Sequence, residues 1–266
     1  MKKVYIPVNR DEFWQRHWSE VKEDVTELKN VNEYPLHLVD KYVDKEKRII
    51  ELGCGLGRVL KHYHYKGYAI EGIEYDKYCV DRLKSEDKNL KVERASITDL
   101  PYKNKSFDIA MAFGILGHLE NDMEKAFLEV NRVLREGSLL AGSLCYDNLG
   151  RMIFRLINFI KRLTTKREKH FYTYLFTKDE IIQTLSRFGF EVLQMKPILS
   201  REVLYENLFF LRKRGQKAPH RLKRSGEEYY RLNWLGEFAY EIVERYFPYQ
   251  YTFAISFLAK KVKDVN

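Results

Sequence analysis

The chain has 266 residues, 45% of them hydrophobic, enough for one large domain with an embellishment, and this excludes global disorder. Its 3 cysteines, Cys54, Cys79 and Cys145, form no CxxC pair and have no histidines at zinc-finger spacing, which argues against a disulfide framework or a structural zinc site and fits a reducing cytoplasm. The net charge of +9 is uneven: residues 1–150 hold 24 Lys+Arg against 26 Asp+Glu, and residues 151–266 hold 23 against 12, so the second half has surfaces that the first lacks.

Met1–Asp11 has no apolar core of the kind a signal peptide needs, and no apolar run reaches the ~18 residues of a membrane-spanning helix. Residues 11–44 read as helical and amphipathic, with Phe13, Trp14, Trp18 and Val21 on one face, either packed on the core or forming a lid with Trp14 or Trp18 turned to a ligand. Lys47–Leu52 is short, β-branched and apolar and runs into glycines, which predicts a strand and a tight turn. Helices are expected at Arg58–Tyr65, Lys77–Leu83 and Asn121–Arg135, the last closed by Glu136-Gly137. Strands are expected at Tyr68–Glu74, Lys91–Ala95, Phe107–Phe113 and Ser138–Cys145. Such alternation implies an α/β fold, a parallel sheet with helices on both faces and right-handed crossovers. After residue 148 the pattern changes. Helices are expected at Leu149–Leu163 and Lys178–Phe188, strands at Phe190–Lys196 and Tyr251–Lys260, and a mostly helical insertion at 201–247. The resulting organisation is a helical lid (1–44), a Rossmann-like domain (45–200), a basic helical insertion (201–247) and a last strand with its tail (248–266).

The glycines discriminate between ligands. Gly53, Gly55 and Gly57 follow the first core strand, and glycine tolerates positive φ and lets a ligand approach the backbone closely. The next helix offers N–H groups and a positive dipole end. In the dinucleotide pattern G-x-G-x-x-G the third glycine would fall at position 58, which is Arg58. Here the pattern is Glu51-x-Gly53-x-Gly55-x-Gly57. Glu74 ends the next strand, where an acid can accept hydrogen bonds from both hydroxyls of a ribose.

On these residues the chain resembles the class I S-adenosylmethionine-dependent methyltransferases, especially the small-molecule and quinone-type methylases. The resemblance is strong over residues 45–146. It extends through Phe176-Thr177-Lys178-Asp179-Glu180 and Gly189-Phe190-Glu191-Val192. It implies a Rossmann-like, doubly wound, mostly parallel seven-stranded sheet and S-adenosyl-L-methionine as cofactor. Glu51, Gly53, Cys54, Gly55 and Gly57 would wrap the methionine end. Glu74 would bind the ribose, Tyr75 would lie near the adenine, and Ser96-Ile97 would lie beside it. Ser96 departs from the family's usual acid, and Ser138 replaces a usual glycine. Leu100-Pro101-Tyr102 with Phe107-Asp108, the segment Phe113–Leu119 and Arg132–Gly137 also match family stretches, and Phe113 is placed at the cofactor.

Methyl transfer from a sulfonium is an in-line displacement, so the protein must mainly align the reactants and exclude water. His118, just past the Phe107–Phe113 strand on the carboxyl edge of the sheet, is the candidate base and acceptor contact; the alternative is a structural histidine that only shapes the pocket. Trp14, Trp18, Tyr146 and Asp147 are further candidates for touching the acceptor. His62 and His64 lie two apart on a helix and face different directions, so no metal site is expected.

The basic half leaves the acceptor open. Arg151–Lys169 holds seven basic residues against Glu168, and Arg212–Arg224 holds seven with no acid. Phe154, Phe159, Phe171, Tyr172, Tyr174, Phe209 and Phe210 are interleaved with them. A small or lipid-like, acidic acceptor is expected first. RNA is the alternative, through cations with stacking aromatics. A membrane-surface helix at Leu149–Leu163 is a third reading, and a solvated basic surface would need no partner. A non-catalytic cofactor-binding or interaction subunit stands apart from all of these.

Overall fold

Ile49, Ile50, Glu51 and Leu52 are all buried, as a central strand covered on both faces requires. In a computed structural model, which describes residues 1–6, 8–20, 35–151, 170–198, 200–215 and 230–265, they form β2 (Ile49–Leu52) in the middle of a seven-stranded sheet. Its other strands are β3 (Ile70–Glu74), β4 (Val92–Arg94), β5 (Phe107–Phe113), β6 (Leu134–Cys145), β8 (Phe190–Ile198) and β9 (Ala254–Lys261). The order is β4-β3-β2-β5-β6-β9-β8. All neighbours are parallel except at β9, which runs antiparallel to both β6 and β8. The expected Rossmann-like sheet is therefore present.

Side chains that alternate along each strand build two apolar layers. Ile50, Leu52, Ala110, Ala112 and Phe257 pack under α4 (Met123–Val133) and α5 (Lys178–Arg187). Ile49, Ile109, Met111 and Leu258 pack under α2 (Arg58–Tyr65) and α3 (Lys77–Glu86). Leu36, Leu38 and Val39, in and just after a 3-10 turn at Pro35–Leu38, close the second layer. Each fully buried Leu or Phe contributes about 1.5–3 kcal/mol, so these layers outweigh any single polar contact in holding the sheet.

The carboxyl edge is set by the strand order. The chain moves outward from β2 to β3 to β4, then returns to the far side of β2 as β5. The crevice between the carboxyl ends of β2 and β5 is the switch point where such sheets bind ligands.

Three expectations change. The lid is only partly helical: α1 spans Arg10–Glu20, and Pro35 opens a 3-10 turn, its ring having no N–H to continue an α-helix. Val21 and residues 22–34 lie outside the described residues. Strand β6 begins at Leu134, four residues before Ser138, because buried Leu134 already pairs with Phe107; the register then shifts, with Gly137 at φ 76°. A second, two-stranded sheet was not expected: β1 (Lys2–Ile6) pairs antiparallel with β7 (His170–Leu175). Of the basic helix expected at Leu149–Leu163, residues 152–163 lie outside the described residues.

The insertion supplies α6 (Ser200–Asn207), a 3-10 turn at Phe209–Leu211 and α7 (Trp234–Tyr246) around a small core of Tyr205, Leu211, Tyr230 and Leu232. Among the described residues no helix is long and apolar enough to cross a membrane.

The last strand is locked by a buried ammonium. Lys261 is fully buried and donates to the carbonyls of Asn131 at 2.7 Å and Leu134 at 2.9 Å, where α4 gives way to β6. Lys261 also pairs with Asp264 at 2.6 Å, so Lys261→Met keeps the stem but leaves two carbonyls unpaired away from water and removes an ion pair. We expect a loss of about 2 kcal/mol, read as a lower midpoint in urea denaturation.

Candidate functional site

The glycine turn takes the shape that its residues allow. Gly53, Gly55 and Gly57 have φ of 67°, 53° and 72°, the left-handed region that side chains disfavour by roughly 1–2 kcal/mol. Space imposes a second demand. A Cβ on Gly53 would lie 2.4 Å from Cδ1 of Ile115, and one on Gly55 would lie 2.6 Å from the Trp18 ring.

Two buried carboxylates hold the turn. Glu74, at the end of β3, accepts the Gly55 N–H at 2.8 Å on one oxygen and the N–H groups of Tyr75 and Asp76 at 2.8 and 2.9 Å on the other. Burial pushes its pKa up against those three hydrogen bonds. Glu51, from β2, accepts the Leu60 N–H at 2.7 Å. It caps the first turn of α2, whose own N-cap, Gly57, has no side chain. One of the N–H groups expected to be open at that helix end is thus occupied. Burial raises Glu51 to about 8, with the Leu60 N–H opposing. Burial also raises the Cys54 thiol well above its ordinary value, and Cys54 packs beside Gly72.

The rest of the expected cofactor set is spread along the same edge. Tyr75 is exposed, and its carbonyl accepts from Arg94 at 3.2 Å. Ser96 Oγ lies 2.7 Å from the Thr98 hydroxyl, and Ile97 is buried in the core. Phe113 is half-buried at the end of β5, where the Gly114 N–H donates to Ser143 Oγ at 3.0 Å.

An aromatic wall joins the turn to His118. Trp18 lies on Gly55 and stacks on Trp14, with centroids 5.9 Å apart. Trp14 meets His118 edge to face at 5.4 Å, and His118 meets Tyr172 at 4.9 Å. Phe13 lies against both Trp14 and Tyr172, and His17 lies between the rings of α1. His118 Nδ1 is 2.7 Å from the Tyr172 carbonyl. A carbonyl only accepts, so Nδ1 carries the proton and Nε2 bears the lone pair of the neutral ring. The small sheet fixes this arrangement: Thr173 Oγ1 donates to the Gly117 carbonyl at 3.0 Å, and the Tyr174 hydroxyl donates to that of Glu120 at 2.8 Å.

Tyr146 and Asp147 are engaged elsewhere, Tyr146 against Tyr249 in the core and Asp147 in an ion pair with Lys2. Ile115, Phe13 and Tyr172 were not singled out as site residues from sequence. Phe13 could have been found from its spacing to Trp14 and Trp18. Tyr172 could not, because its position depends on β1 pairing with β7.

Residues 50–142 match a family model described as a methyltransferase domain. Those residues are a class I methyltransferase domain. An O-methyltransferase of Aspergillus sclerotiorum, resE, is 31% identical over 109 residues, which cover 38% of this chain and 41% of that one. Ribosomal RNA-processing protein 8 of Dictyostelium discoideum is 27% identical over 172 residues, covering 62% and 38%. The chain thus spans about two fifths of the length of these relatives. A solved S-adenosylmethionine-dependent methyltransferase of Methanosarcina mazei superposes with a TM-score of 0.58 at 16% identity, covering 86% of this chain and 98% of that one, a likeness of fold.

The cofactor of such a domain is S-adenosylmethionine, and the residues present fit it. The turn bares its backbone at three glycines, and the Glu74 oxygen that accepts from Gly55 keeps one acceptor site for a ribose hydroxyl, the other oxygen being filled by Tyr75 and Asp76. Glu51 offers a buried carboxylate at the end where a cationic amino-acid group would lie. The Trp18 ring must leave Gly55 for a ligand to reach the turn.

Glu51 also makes stability depend on pH. Its pKa is 4.5 unfolded and about 8 folded, so between these values the folded chain holds a proton that the unfolded chain lacks. Stability therefore falls as pH rises through that window, by a few kcal/mol in total. Glu51→Gln keeps an acceptor for Leu60 and removes the titration. We expect its urea midpoint to change less than the wild type's between pH 5 and pH 8.5.

Proposed function

We propose that the protein transfers a methyl group from S-adenosylmethionine to a small or lipid-like acceptor seated against Phe13, Trp14, His118 and Tyr172. The observation that carries this reading is the unbroken run of ring contacts from Gly55 through Trp18 and Trp14 to His118. Apolar rings beside a cofactor turn suit an acceptor with an apolar body and one reactive oxygen or nitrogen. The three cysteines, none in a disulfide, support a cytoplasmic setting.

The bound cofactor supplies an activated methyl group and a neutral thioether leaving group. The chain's residues have simpler work. The glycine turn and Glu74 fix the cofactor's orientation, and Tyr75 lies open at the end of β3 to flank its base. Trp14 and Trp18, carried on α1, close the crevice and exclude water. These residues would hold the acceptor's attacking atom in line with the methyl group, for which the thioether would be the leaving group. The acceptor's proton passes to Nε2 of His118, held in the right tautomer by the Tyr172 carbonyl.

Calorimetric titration with S-adenosylhomocysteine tests the cofactor site. We expect binding by the wild type and, for Glu74→Ala, a loss of roughly tenfold or more, since a hydroxyl contact to a carboxylate is removed and the Gly55 N–H is left unpaired. Absence of wild-type binding overturns the reading.

The acceptor class is tested with methyl-labelled cofactor incubated with a cell extract and fractionated. Label in the organic or small-molecule fraction is the expected result. Label in acid-precipitable RNA would favour the second reading, to which the RNA-processing relative and the basic second half lend support. No transfer at all would make the chain a non-catalytic subunit. We expect His118→Asn to slow transfer about 10²-fold or more with S-adenosylhomocysteine affinity unchanged; equal rates would retire the base.

A further inference from the structure

Helix α7 turns an apolar face outward. Val243 and Gly236 are buried, whereas Trp234, Phe238, Ile242 and Tyr246 recur every four residues along an exposed side, with Leu235 beside them. Trp234 is 81% exposed. Glu237, Glu241 and Glu244 follow another flank, and Arg201 holds Glu237 by two hydrogen bonds of 2.7 and 2.8 Å while its guanidinium lies over Tyr240.

Two more exposed aromatics lie near the start of the helix. Asn233 caps α7 through the Gly236 N–H at 2.9 Å and donates to the Phe210 carbonyl at 2.7 Å. The Phe209–Leu211 turn is thereby fixed beside the start of the helix, with Phe209 and Phe210 both exposed. Cations follow at once. Lys213 and Arg214 are exposed, and they open the 212–224 run of seven basic residues without an acid.

We infer that this face docks peripherally on an anionic lipid surface. Trp, Phe and Tyr with Leu and Ile suit the boundary between head groups and acyl chains, and the exposed Lys213 and Arg214 suit anionic head groups. Exposed apolar area of this kind is rarely left to water. RNA fits less well: Leu235 and Ile242 can neither stack on bases nor bind phosphate. The insertion leaves the sheet after Ile198 and returns at Ala254, which pairs with Cys145 at the carboxyl end of β6. The docking face thus belongs to the segment that rises from the same edge as the glycine turn.

Vesicle flotation tests this without cofactor, so its outcome is independent of methyl transfer. The full chain is mixed with phosphatidylcholine vesicles with and without phosphatidylglycerol. We expect it to float with the anionic vesicles only, and less so as salt is raised. Lys213→Gln with Arg214→Gln should weaken binding roughly tenfold or more, at about fivefold per cation. The triple variant Trp234→Ser, Phe238→Ser, Ile242→Ser should abolish flotation while keeping the wild type's far-ultraviolet dichroism and melting midpoint. Absence of flotation, or flotation that survives both sets of changes, overturns the inference. So does a dimer in sedimentation that the triple variant dissolves, or retention on RNA without flotation.

Discussion

Three backbone N–H groups converge on the Glu74 carboxylate, and the geometry of the carboxyl edge depends on them. A charge taken out of water is costly unless hydrogen bonds replace its hydration. Gly55, Tyr75 and Asp76 supply that replacement from two directions, the glycine turn on one side and the start of α3 on the other. Burial still raises the Glu74 pKa, so desolvation outweighs the three bonds. The cost is tolerated because it fixes the turn after β2 to the end of β3. Glu51 does the same for the start of α2. Two acids on adjacent strands therefore set the turn, and a ligand there meets hydrogen-bond acceptors already in place.

The switch point adds the second wall. Gly53 has no Cβ, so Ile115 from the end of β5 can lie directly on the turn. The chain continues through Gly117 to His118, where β7 takes over by accepting from His118 Nδ1 and donating from Thr173. A structure remote in sequence, the β1–β7 pair, thus orients the residue best placed to take a proton. The arrangement separates tasks: the large sheet positions the glycine turn, and the small sheet with α1 positions the aromatic wall around His118.

How much of this was legible follows from the range of the interactions. Gly53, Gly55, Gly57 and Glu74 could be read because a tight turn at the end of a buried strand leaves a local pattern, and because Glu74 sits one strand later at a fixed place. The central strands were legible for the same reason, as apolar runs such as Phe107–Phe113. The Lys2–Ile6 strand carries two lysines and no clear alternation, and it exists because β7 is available to pair with it. Ser96 was expected beside adenine, and its hydroxyl is instead close to Thr98. Asp147 was expected near the acceptor, but Lys2, 145 residues away in the chain, pairs with it. For Asp147 and for the Lys2–Ile6 strand a partner distant in sequence decides the placement, and periodicity carries no information about such partners.

The insertion shows why one helix can satisfy two demands. Its inner side is held by contacts that no solvent-facing helix needs: Arg201 between Glu237 and Tyr240, the Asn233 staple, and a Gly236 whose missing Cβ lets the Leu211 carbonyl approach. These anchor α7 to the satellite core of Tyr205, Leu211, Tyr230 and Leu232. With its orientation fixed from one side, the helix does not need its outer face for folding. Had Trp234, Phe238 and Ile242 been the folding face, the helix would have rolled them inward, at about 1.5–3 kcal/mol for each large side chain buried. That gain goes unused because Gly236 and Val243 fill the inner side and leave no room for larger residues. The exposed stripe is thus a surface that the fold itself keeps out of the core.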